Sequence, residues 1–114
     1  MDKMDAVLWK LARLIAAVAN EMLDYSKRLA VELNKKGDDY DCIEVDYWTR
    51  RKNAAKRELD DLCDLVGLPR ILVVIAINEY RNKNASDEAF VAMRNLIDDA
   101  LNDKLPKGGH ICVD

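Results

Sequence analysis

Glycine and proline are scarce in this chain, four and two among 114 residues. That scarcity leaves little room for long loops or low complexity, and no Gly-rich strand-to-helix turn of the Walker or Rossmann kind is present. Histidine occurs once, as His110 in an expected tail, so histidine-dependent acid/base chemistry has no place, and Ser26, Thr49 and Ser86 read as surface or cap residues rather than nucleophiles. The three cysteines, Cys42, Cys63 and Cys112, form no CxxC and have no histidine nearby. An odd set without metal-ligand spacing fits neither a disulfide framework nor a zinc finger, and suits a reducing compartment. The longest apolar run, Ile71 to Ile77, has seven residues, where a membrane span needs about twenty. An apolar patch near the start is interrupted by Lys10 and Arg13, and Asp2 and Asp5 stand where an export signal is basic. A cytoplasmic location is therefore expected. The formal charge of −3 has the wrong sign for a phosphate-backbone binder, so no nucleic-acid or membrane partner is expected.

What is present is amphipathic helix. Half the residues are apolar and a third are charged, a composition of ordinary globular domains, and this length buries enough surface for one core without disulfides or a structural metal. Met4, Leu8, Leu11, Ile15, Val18, Met22, Tyr25 and Leu29 alternate spacings of four and three, the seam of a helix packing on other helices. A helix over residues 4–36 would be a rod of roughly 50 Å, against a radius of gyration of about 13 Å for a compact chain of this size. Its apolar stripe then needs covering by an elongated bundle or by a second molecule, and a homo-oligomer through this helix is expected. Trp9 lies off the main seam near Ala12, Ala16 and Ala19 and reads as the anchor of a second interface, either with another helix of the chain or with a partner.

The rest of the chain divides into three more helices. Lys35, Lys36 and Gly37 mark a helix end, and residues 38–46 read as the longest loop. A second helix is expected from an Asp46 N-cap to Val66, closed by Gly67, on the spacing of Trp48, Ala55, Leu59, Leu62 and Val66. Pro69 opens a segment to about Asn82, whose β-branched run reads as strand or buried helix. A central, all-round-apolar helix is preferred, because no second strong strand exists to pair with it. Ser86 is expected as the N-cap of a last helix with Phe90, Met93, Ile97 and Ala100 in its core stripe, and Pro106 and Gly108-Gly109 begin a tail. The expected fold is all-α, a four-helix bundle or open helical array with a long N-terminal helix, forming a single domain over 1–105 with a tail over 106–114.

Charge comes in blocks. Residues 38–46 carry five acids and no base, including Asp38, Asp39 and Asp41; residues 50–57 carry Arg50, Arg51, Lys52, Lys56 and Arg57 and no acid; residues 58–64 carry four acids. Such blocks can neutralise one another as solvated helix pairs. Placed just after Tyr47 and Trp48, the basic block also forms an aromatic and guanidinium platform for an acidic protein surface or a phosphate-bearing ligand.

Two Glu-x-x-Asp pairs, Glu21 with Asp24 and Glu58 with Asp61, place carboxylates on nearly one helix face, and two such helices could hold Mg²⁺. In these two stretches the chain resembles the all-helical nucleoside triphosphate pyrophosphatases of the MazG type, whose acidic pairs on adjacent helices bind magnesium. The resemblance implies a metal-dependent hydrolase with those four residues as ligands. The primary expectation has no cofactor and no catalytic residue: a small acidic adaptor or inhibitor, of the kind carried by phage and mobile elements, that binds a protein partner through Trp9, the basic segment and the acidic loop.

Overall fold

The computed structural model describes residues 3–105, and the expected tail, with His110 and Cys112, lies outside them. Four helices follow in order: α1 (Lys3–Leu33), α2 (Cys42–Val66), α3 (Arg70–Asn82) and α4 (Ser86–Leu101), with a 3-10 turn at Gly37–Asp39. There is no strand among the described residues. The chain is all-α with a dominant N-terminal helix, and the β-branched run 71–77 is helical.

α1 is unbroken over 31 residues, about 46 Å at the helical rise. Of its seam, Leu8, Ile15, Val18 and Met22 are buried, Leu11, Tyr25 and Leu29 half-buried, and Met4, at the N-terminal end, is exposed. A second line of alanines, Ala12, Ala16 and Ala19, has no exposed surface at all. Ala12 and Ala16 stand about two and three turns after Asp5, on its face, and Asp5 pairs with Arg94 of α4. Small side chains there let α4 approach closely while α2 covers the seam. The middle of the long helix is therefore covered within its own chain. The molecule is elongated to do so, 56 × 33 × 26 Å with a radius of gyration of 16.2 Å.

α2 returns along α1. It begins at Cys42, earlier than the Asp46 expected, because the Asp41 carboxylate accepts hydrogen bonds from the backbone N–H of Ile43 at 2.9 Å and of Glu44 at 3.4 Å. The acidic block 38–46 is thus divided between a connector and a first helical turn, and that turn was not legible in the hydrophobic pattern because Ile43 is exposed rather than in the core. α1 likewise stops at Leu33, before Lys35 and Lys36.

The remaining helix ends share one device. Gly67 (φ +72°), Asn84 (φ +53°) and Asp103 (φ +55°) are left-handed. In each case the next residue's N–H reaches five residues back: Leu68 to Cys63, Ala85 to Tyr80, and Lys104 to Asp99. Leu68, buried beneath its cap, fixes the turn into α3. Ser86 is the first residue of α4 and makes no cap hydrogen bond, Ala85 occupying the N-cap position, so the expected serine cap does not form. α3 also differs from expectation. Only Val73 and Ile77 are buried, while Ile71 and Ile75 are exposed, because α3 packs on α1 and α4 with one face and leaves the other to solvent. The core joins Ile15, Leu59, Val73, Ile77, Met93 and Ile97 from all four helices.

Candidate functional site

α3 and α4 are too short to follow α1 to its end. They meet it at Asp5, Asn20, Asp24 and Lys27, so beyond Lys27 the C-terminal turns of α1, the connector and the first turns of α2 project as a two-helix hairpin. This tip is apolar and acidic together. Leu33, Tyr40, Ile43 and Tyr47 are 53%, 46%, 77% and 45% exposed, and Asp39, Asp41 and Asp46 stand exposed beside them.

The tip is braced from inside by rings and guanidinium groups. Trp48 is half-buried, its ring centroid 5.9 Å from Tyr25 of α1 and 4.9 Å from Tyr47 in an edge arrangement. Arg28 lies 5.4 Å over the Trp48 ring, and Arg51 lies 5.3 Å over the Tyr47 ring while its Nε donates to the Tyr47 hydroxyl at 3.2 Å. One helical turn on, the buried carboxylate of Glu32 accepts from Lys35 Nζ at 3.0 Å on both oxygens and sits 3.5 Å from Arg28 Nε. A buried carboxylate is tolerated only when compensated in this way. The indole Nε1–H of Trp48 is buried without a hydrogen-bond partner among the described residues.

The other sequence-picked residues are scattered around this cluster. Arg50 pairs with Asp46 at 2.9 Å, joining the acidic and basic blocks within one helix. Lys52 is half-buried, and Lys56 and Arg57 are exposed further along α2. Trp9 lies at the opposite end of α1, half-buried beneath Arg94, whose guanidinium carbon is 5.5 Å from the ring centroid, with its outer edge open to a recess lined by Ala6, Lys10 and Arg13. Its interface is thus with α4 of its own chain on one side.

The acidic pairs do not meet. Asp24 is held by Arg81 of α3 at 2.7 Å, and Asn20 accepts from the same guanidinium at 2.9 Å. Glu21 faces the Arg51 side of α2, and Glu58 and Asp61 are exposed. No group of three or more His, Cys, Asp or Glu side chains among the described residues is arranged to hold a metal ion. Cys63 is a core residue. Burial first, then the charges of Asp60 and Asp64, push its thiol up to about 11, and Cys42 is exposed at the tip.

Arg28, Glu32 and Leu33 were missed in the sequence, and Tyr25 was read there only as part of the seam of α1. Their signal was the spacing of three and four that puts Tyr25, Arg28 and Glu32 on one face of α1, and the apolar Tyr40 and Ile43 stranded inside an acidic block.

The fold and its exposed hairpin define an elongated helical bundle with a projecting tip, and no described helix is long and apolar enough to cross a membrane. No protein-family model, curated protein or solved structure matches this chain.

Proposed function

We propose that this chain is a non-catalytic protein-interaction protein, an adaptor or inhibitor, whose α1–α2 tip inserts into an apolar, basic-rimmed pocket of a protein partner. The observation that supports this reading is the group of exposed apolar side chains at the tip, led by Ile43, with the exposed acids Asp39 and Asp41 beside them in sequence. Covering apolar surface gains about 25 cal/mol per Å², and the acids supply steering toward lysines and arginines rather than bulk affinity. The Trp48, Arg28 and Glu32 contacts hold the two helices together behind the tip, so little conformational freedom is lost on binding.

A photoreactive side chain placed at Ile43, with Asp61 as the control position on the same helix, tests this in the native host. A discrete heavier adduct from position 43, lost when Asp39 and Asp41 become asparagine, is expected. No adduct, or equal labelling at position 61, refutes the reading. Self-association through α1 belongs to the same proposal and is supported by the exposed Met4, Val7 and Leu14. Sedimentation over a wide concentration range tests it separately, and a monomer throughout removes it without touching the tip.

A further inference from the structure

A second surface lies away from the tip. α3 and α4 form a hairpin whose outer side carries an open groove of about 580 Å³. Ala76 and Tyr80 stand on one wall, and Val91, Ala92, Asn95 and Leu96 on the other. Ala76 and Ala92 are small enough to admit another backbone at helix-packing distance, and Ile75 and Val91 extend the apolar surface into solvent at 57% and 47% exposure.

The side chains that line this groove carry charge of one sign. The charged residues that line it are Glu79, Glu88 and Asp99, and no base lines it. Glu79 is bound by Lys83 at 3.0 Å, whose charge also acts on Glu88 at that end; neither Glu88 nor Asp99 on the α4 wall makes a direct ion pair among the described residues. They stand at the two ends of the groove, eleven residues apart in sequence, so along α4 they are separated by about 16 Å and lie on one face.

We infer that the α3–α4 groove docks a basic amphipathic helix of a second protein. Its apolar stripe seats on Ala76, Val91, Ala92 and Leu96, and two lysines or arginines about three turns apart reach Glu88 and Asp99. This is recognition of a helix in a groove, with side chains at three- and four-residue spacing as anchors. The acid pair sets which helices fit: a neutral helix gains the apolar contact alone, and an acidic one is repelled. Carried on a different face from the tip, the groove gives the chain two independent contacts and lets it bridge two partners.

The test uses the full chain, isotope-labelled for amide NMR, and a synthetic amphipathic helix of about fourteen residues, long enough to span the groove. The probe carries leucines on one face and lysines three turns apart. Two controls accompany it: a scrambled peptide of the same composition, and one with glutamates in place of the lysines. Saturable shifts at Ala76, Val91, Ala92, Asn95 and Leu96 are expected with the lysine helix alone. The double variant Glu88→Gln, Asp99→Asn should weaken binding about tenfold, from two partly exposed charge pairs. Ala92→Phe should abolish it by filling the groove while the helical circular dichroism is unchanged. The inference is overturned by any of four outcomes: no binding, equal binding of the scrambled or glutamate peptide, shifts confined to the tip, or groove amides that shift with protein concentration alone. The last would assign the groove to a second copy of this chain.

Discussion

Leu59 and Leu65 lie on the same helix, carry the same side chain and differ in what surrounds them. Leu59 has no exposed surface and Leu65 is 73% exposed. Leu59→Ala removes methyl groups from a site packed within the common core of the four helices and leaves a cavity, at a cost of about 3–4 kcal/mol. A chain of this size shifts its melting temperature by roughly 4–8 °C per kcal/mol, so Leu59→Ala should melt about 12–32 °C lower. Leu65→Ala loses little packing and gains slightly in helix propensity, so its cost stays within about 0.5 kcal/mol. Urea unfolding followed by circular dichroism at two protein concentrations measures both. Equal costs would refute the assignment of α2's buried face. A Leu65→Ala cost that appears only at the higher concentration would show that a second copy covers the outer face of α2, and the single-chain account of that surface would fail.

Three further outcomes follow from particular side chains. Gly67→Ala should destabilise by about 1 kcal/mol through its left-handed backbone alone, since a Cβ there would meet nothing within 4 Å, whereas Asn84→Gly, at φ +53°, should be neutral or stabilising; paired thermal melts decide both. Trp48→Phe removes a buried, unpartnered N–H while keeping a ring beside Tyr25. It should therefore cost less than about 1 kcal/mol in urea unfolding, and a larger loss would mean that the indole ring's packing and its contact with Arg28, or a hydrogen bond of its nitrogen in solution, outweigh that relief. In a Cys42→Ser, Cys112→Ser background, Cys63 should resist alkylation at pH 9 until the chain unfolds. Because its thiol titrates near 11 when folded against 9.0 in the exposed group, the folded state retains that proton longer. Its contribution to stability is therefore complete below pH 9 and is lost as the pH rises toward 11, which urea midpoints across that range will show.

Periodicity located the helices because burying one face of a helix imposes the same three- and four-residue spacing wherever the partner lies. It found α1, the body of α2 and the core stripe of α4 for that reason. It failed at Cys42–Val45, where a side-chain cap rather than a core face starts the helix, and at Ser86, where Asn84 takes the left-handed turn and moves the N-cap to Ala85. The residues expected to meet a partner were legible as composition, an acidic block beside a basic one, but not as geometry. Arg50 turned out to neutralise Asp46, and Trp48 to lie under Arg28 from a different helix.

The chain's own pattern determined that it is helical, where α2 and α3 end, and that its N-terminal helix is longer than a compact globule of this size. These are local consequences of spacing, capping and the scarcity of glycine. Which faces remain open was decided only by tertiary structure. α2 and α4 close over the middle of α1 through its alanines, while α3 and α4 stop short and leave the tip uncovered. Exposure depends on where another element ends, and that length is not encoded in the residues it would have covered.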